Sequence, residues 1–214
     1  LLSEGLPAEA SVVAATVSFV DWSNITRSWE RALTTFIERV GSQLRWMLIG
    51  SAATAVHGVT ISPGDVDILI HPDTPDTLMC NELEGLDGFA ARSVSSGDLA
   101  TFSSTHDRPL LATADGSWLF GRWTIYGCQV EVARIREPVD AGLLVETVGL
   151  AVWDCREVVA WHGQPVPVVP LEVQLATIVS RGLDQRARAV RSRLAEIGYK
   201  SELLDRAFIG RSLL

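Results

Sequence analysis

Asp65 and Asp67 stand two positions apart in the segment DVDILI, residues 65–70, which is otherwise built from β-branched and aliphatic residues. Such composition favours a strand. On a strand side chains alternate faces, so the two carboxylates share one side while Val66 and Ile68 point into the core. Two acids held on one side repel unless a cation lies between them, and hard oxygen ligands of this kind suit magnesium or manganese. Pro63-Gly64 just before them is a turn signal that places the acids at the start of the strand, near a surface.

Gly50-Ser51 lies upstream, between a strand-like stretch, Arg45 to Ile49, and the short helix-compatible segment AATAVHG, which Gly58 closes as a C-terminal cap. A helix N-terminus offers unpaired N–H groups and partial positive charge, so it can hold a phosphate. The glycine allows close approach of the backbone, and the serine hydroxyl can bond a phosphate oxygen. Taken alone, an Asp-x-Asp is commonly a solvated pair and a Gly-Ser commonly a turn. Their combination at this spacing favours a metal-dependent phosphate site.

The order of these parts, a hydrophobic residue and Gly-Ser, a small-residue helix, His-Gly, a turn and Asp-Val-Asp-hydrophobic, resembles the polymerase-β-like nucleotidyltransferase superfamily, and within it the small bacterial nucleotidyltransferases. The resemblance implies an α+β fold, a mixed β-sheet core flanked by helices with a mainly helical C-terminal region. It implies that Gly50 and Ser51 bind the β and γ phosphates of a nucleoside triphosphate, with ATP the expected one, and that Asp65 and Asp67 carry Mg2+ or Mn2+. Relatives add a third carboxylate from a later strand, and WTIYGCQVEVARI supplies Glu131, where many of them have Asp. Three such acids suit in-line displacement at the α phosphate, and Glu131 could also take the acceptor's proton. Pro170-Leu171-Glu172 and Arg181-Gly182-Leu183-Asp184 match the segment that follows the catalytic core in the same enzymes. Relatives often carry a lysine one turn before that arginine, where this chain has Thr177 and Ile178, so Arg181 is the preferred phosphate contact.

Residues 1–26 form an N-terminal extension. Trp29, Leu33, Phe36 and Val40 recur at helical spacing and predict an amphipathic helix before the first strand. A helix is expected over 74–86, and Gly97 to Gly116 is a polar, irregular stretch expected to form a loop or hairpin over the site. Trp118–Tyr126 and Gln129–Ile135 read as strands joined near Gly127. A boundary near Glu137-Pro138 separates a core, 27–137, from a C-terminal region, 138–214, with one more short strand at Gln164–Val169. Beyond it Leu183, Ala187, Val190 and Leu194 form one apolar stripe, with Arg186, Arg188, Arg191 and Arg193 off it, as on a solvated helix. His57 is expected to pack or cap its helix rather than touch substrate, and the tryptophans to be core, with Trp118 or Trp123 able to stack on a nucleobase where exposed.

Composition narrows the classes. With 214 residues, 47% of them hydrophobic, the chain can bury a sizeable core. A net charge of −8 argues against broad nonspecific binding to nucleic acid or anionic membrane. No apolar run reaches the ~18 residues of a membrane span, and Ser11–Val20 lacks the basic flank of a signal peptide. Asn24-Ile25-Thr26 spells a glycosylation acceptor without secretory context. Cys80, Cys128 and Cys155 are odd in number and widely spaced, which fits reduced thiols in a cytoplasm. The four histidines are scattered, against a zinc site. Lys200 is the one lysine beside 17 arginines, so the phosphate loop ending in Gly-Lys-Ser/Thr is absent, as are the kinase and Gly-x-Ser-x-Gly hydrolase signatures.

The expected function is metal-dependent transfer of a nucleoside monophosphate to a hydroxyl acceptor with release of pyrophosphate. The acceptor, a small molecule such as an antibiotic, a protein side chain or a tRNA end, is not legible in the residues. A homodimer is compatible with the sequence. The alternative is a noncatalytic member of the fold acting as a binding or regulatory module, such as half of a toxin–antitoxin pair.

Overall fold

The computed structural model describes residues 27–93, 97–137 and 142–213. The expected N-terminal extension, its glycosylation-type triplet and Pro138 lie outside the described residues. The architecture is α+β, a mixed seven-stranded sheet with helices against it. Its strands are β1 (Trp46–Ile49), β2 (Asp65–Ile70), β3 (Leu111–Ala112), β4 (Trp118–Ile125), β5 (Cys128–Ile135), β6 (Glu157–Trp161) and β7 (Gln164–Val168), in the spatial order β3-β4-β5-β2-β1-β7-β6. The helices are α1 (Ser28–Arg39), α2 (Gly50–Val56), α3 (Asp76–Leu83), α4 (Ala151–Cys155), α5 (Leu171–Ser180), α6 (Asp184–Ile197) and α7 (Ser201–Ser212). None of the described helices is long and apolar enough to cross a membrane.

The amphipathic N-terminal helix forms where its spacing predicts it, and Trp29, Leu33 and Phe36 are buried in the main core. The β4–β5 hairpin turns on Tyr126 and Gly127, both at positive φ, +50° and +76°. Positive φ at two successive central residues suits the right-handed twist of the flanking strands. The helix expected over 74–86 is split: α3 starts at Asp76, after Pro75, and ends before a tighter 3-10 segment, Glu84–Phe89. Proline fits just before a first helical turn because it lacks the N–H that a helix interior uses.

Two features were not expected. β6 carries little strand signal in its residues, and with β7 it forms an antiparallel pair that joins the sheet through a parallel contact of β7 with β1. The sheet therefore runs across the expected 137/138 boundary. The stretch around Gly97–Gly116 is irregular except for β3, and Phe102 in it is fully buried, packing with Leu111 and Phe120. This segment is anchored at the sheet's β3–β4 edge.

Helices α5 and α6 carry a second apolar cluster. Leu171, Leu175 and Ile178 of α5 meet Ala187, Val190 and Leu194 of α6, the residues of the predicted stripe. Arg193, off that stripe, is only half-exposed and donates from Nε to the His57 carbonyl at 3.0 Å. His57 itself caps α2, and its Nε2 meets the Val169 carbonyl at 2.8 Å, so its role is packing, as expected.

Candidate active site

Strand register assembles the acids. β2 lies between β1 and β5, antiparallel to the first and parallel to the second, and residue 67 is opposite Ile49 on one side and Glu131 on the other. Alternation then places Asp65, Asp67 and Glu131 on one face, while Val66, Ile68, Val130 and Val132 are buried on the other. Ile49 ends β1, so Gly50 is delivered beside Asp67.

The approach there is close. Gly50 takes φ +66°, and a Cβ on it would fall against the Asp67 carboxylate. Only glycine satisfies both the left-handed backbone and the lack of space. Ser51 is the second residue of α2, and its hydroxyl donates to Asp65 Oδ1 at 3.2 Å. The expected helix after Gly-Ser is real but short, and Gly58 follows its cap at φ +85°.

A cavity of about 380 Å³ opens on this face, lined by Gly50, Asp67, Glu131, Glu146, Arg181 and Arg211 among others. Arg181, the phosphate contact expected from sequence, thus reaches the same space as Asp67 and Glu131. Trp118 and Phe120 of β4 line it as well. Trp118 is therefore available to a flat ligand, whereas Trp123 is 2% exposed and belongs to the core, the place expected of the tryptophans in general. Parity on β4 explains the difference, since Trp118 and Trp123 are an odd number of residues apart and face opposite ways.

The electrostatics of the acids are unequal. Burial, then repulsion by Asp65, Glu131 and Glu146, pushes the Asp67 carboxyl up to about 7, against a smaller pull from Arg181. Glu131 is held through one oxygen by Arg122 Nε at 2.7 Å. Arg122 Nη1 in turn donates to the Ala100 and Phe102 carbonyls, tying Glu131 to the anchored 97–116 segment. Among the described residues no group of three or more His, Cys, Asp or Glu side chains is disposed to hold a metal ion by itself.

Glu146 was not singled out from sequence. Its carboxylate is 3% exposed and accepts the Gly50 N–H at 2.8 Å and the Gln174 amide of α5. Gln174 also accepts the Thr54 hydroxyl at 2.7 Å, so one chain of hydrogen bonds joins the 142–150 segment, α2 and α5. Burial raises the Glu146 carboxyl above the ordinary range, opposed by the Gly50 N–H, by Thr177 and Gln174, and by the charge of Arg211. The Thr177 hydroxyl acts by proximity, without hydrogen-bond geometry to a partner among the described residues. Neither Glu146 nor Arg211 stands in a motif, and only folding brings them together.

Strand, Gly-Ser, short helix, Asp-x-Asp strand and adjoining acidic strand follow in the order expected from the sequence resemblance. No family model and no curated protein matches the chain. Among solved structures it is similar to a candidate nucleotidyltransferase from Thermotoga maritima, at 21% identity and a TM-score of 0.49, over 78% of this chain and 92% of that one. It is also similar to an antigenic nucleotidyltransferase-like protein from Paracoccidioides brasiliensis, at 17% identity and a TM-score of 0.39, over 78% of each chain. The chemistry of this chain therefore has to be read from its own residues.

Two of the expected phosphate ligands are internally engaged, the Gly50 N–H by Glu146 and the Ser51 hydroxyl by Asp65. The signal that could have found Glu146 is its setting in GLLVETVGLAV, an acid alone among apolar and small residues. Charged residues are rarely fully buried without partners, so such an acid points to a specific contact.

Proposed function

We propose that the protein transfers a nucleoside monophosphate from a nucleoside triphosphate, ATP by expectation, to a hydroxyl acceptor. The observation that carries this reading is Asp67: a desolvated carboxyl beside Asp65, in register with Glu131 and against a glycine with no room for a side chain. Mutual repulsion among these acids is what a divalent cation would relieve, so the donor set fits Mg2+ or Mn2+ at Asp65 and Asp67, with Glu131 as third ligand once Arg122 yields it. A bound cation supplies charge neutralisation to the triphosphate and to the leaving pyrophosphate.

The residues of the chain do the rest. Arg181 pairs with the phosphate tail, and the Gly50-Ser51 turn lets the tail approach the backbone. The acceptor oxygen forms its bond to the α phosphorus as the bond to the bridging oxygen breaks, and pyrophosphate leaves with that electron pair. A carboxylate of the cluster takes the acceptor's proton. Trp118 and Phe120 offer an apolar wall for the base.

One observation favours a second reading, the noncatalytic module: Gly50, Ser51 and Glu131 are each satisfied by neighbours within the chain. The test that separates the two uses α-labelled and γ-labelled triphosphates with Mg2+ and acceptors of the three classes, aminoglycoside, protein and tRNA. Nucleotidyl transfer moves the α label onto an acceptor and leaves the γ label in pyrophosphate. Absence of transfer together with absence of triphosphate binding favours the module. The three cysteines, all free, suit a reducing compartment, and we place the protein in the cytoplasm on that ground.

A further inference from the structure

We propose that Arg211, on the C-terminal helix α7, is a second anion-binding group of the cavity, so that a polyphosphate tail is gripped from α7 as well as by Arg181. The inference rests on the nucleotide reading above and adds to it a residue that no motif marks. Its basis is the docking of α7. Gly210 lies so close to the Leu144 backbone that a Cβ there would collide with the carbonyl, and Leu144 is two residues before Glu146. That contact brings the last turn of α7 onto the segment carrying Glu146 and sets Arg211 in the cavity wall beside Arg181 and Thr177.

Arg211 is underused there. Its Nε is buried and meets no hydrogen-bond partner among the described residues. Its charge acts on Glu146, but that carboxylate already accepts from Gly50 and Gln174. Arg134 is the useful contrast: its Nε is also buried and unpartnered, yet its Nη1 is committed to the Thr74 carbonyl at 2.9 Å and to the Asp76 carboxylate. Arg134 holds α3 to β5, whereas Arg211 faces open volume. A guanidinium removed from water loses hydration that only bonded partners return, and a phosphate oxygen is the partner its planar fork fits best.

The experiment is titration calorimetry of the whole chain with inorganic tripolyphosphate, ATP and adenosine, comparing wild type, Arg211→Gln and Arg211→Lys. Arg211→Gln is expected to weaken tripolyphosphate and ATP by about tenfold or more, as loss of a charge-assisted hydrogen bond does, while adenosine is unaffected. Arg211→Lys is expected to fall between them. A lysine added from α5, Thr177→Lys in the Arg211→Gln background, is expected to restore part of the tripolyphosphate affinity, which a merely structural arginine does not allow. In the unmodified protein, tripolyphosphate is expected to shield Arg211 from arginine-selective modification mapped by mass spectrometry, a readout that survives any folding defect of the variants. Equal tripolyphosphate affinity in wild type and Arg211→Gln, or no shielding, overturns the inference even where α-label transfer is observed. Weaker tripolyphosphate binding in Arg211→Gln, with no α-label transfer by the wild-type protein, leaves the anion site standing and removes the transferase reading instead.

Discussion

Strands β2 and β5 pair residue by residue, yet their two faces are unlike. On one, Val66, Ile68, Val130 and Val132 are at most 1% exposed and packed into the main core. On the other, Asp67 and Glu131 border a cavity with Asp65 on the same face of β2, and of the three only Glu131 has a cationic partner in contact. The backbone and the register are the same for both, so the difference lies in what the rest of the fold places opposite. An apolar face is closed by packing at native density, whereas a face of unpaired carboxylates is stable only where room is left for something to neutralise them. Repulsion among the acids works against stability, which fits the proposed site better than a scaffold.

The largest expected effect breaks that contrast directly. Asp65→Asn with Asp67→Asn is expected to reduce α-label transfer on the order of a thousandfold or more, as removal of transition-state charge stabilisation does, while the metal-free protein melts no lower than wild type at pH 8. Transfer within tenfold of wild type contradicts the metal assignment.

The next effect is on pH. Asp67 has a carboxyl at about 7 in the folded protein, against 3.8 for an unperturbed one. Below about pH 4 both states hold the proton and nothing is lost. Between about 4 and 7 the unfolded chain ionises while the native site does not, so the native state loses stability as pH rises, by at most about 4 kcal/mol. His57 and His71, both depressed by burial, act with the opposite sign below pH 6.5, so the contribution of Asp67 is read as wild type minus Asp67→Asn across pH 4 to 8. Mg2+ is expected to raise the melting temperature more at pH 8 than at pH 5, because it binds the ionised form. A shift that is equal at both pH values runs against this.

The smallest effect sharpens the comparison from the other face. Ile68→Ala is expected to cost about 3 kcal/mol in denaturant unfolding, as a cavity in a packed core does, with turnover per folded molecule nearly unchanged. A fall in turnover as large as that of the aspartate variants shows that the two faces are not independent.

Much of the site was legible because it is local. Asp65 and Asp67 share a face by strand alternation alone, Gly50-Ser51 follows a strand and opens a helix, and the Tyr126-Gly127 turn fixes where Glu131 falls on β5. The α1 and α6 stripes were equally plain, since a period near 3.6 is written in the residues. What failed was non-local. β6 alternates weakly at the sheet's margin, with burial that is nowhere complete, so its pattern hardly differs from a loop's.

The acid pair, the glycine turn and the strands that carry them follow from the order of residues alone, because neighbours along a chain are held by backbone geometry whatever the rest of the molecule does. What surrounds them came with tertiary packing: Glu146 on the Gly50 N–H, 96 positions along the chain, and Arg211 of α7 in the cavity wall. Contacts of that range depend on how helices and loops close over a sheet, and no spacing in the residues encodes them.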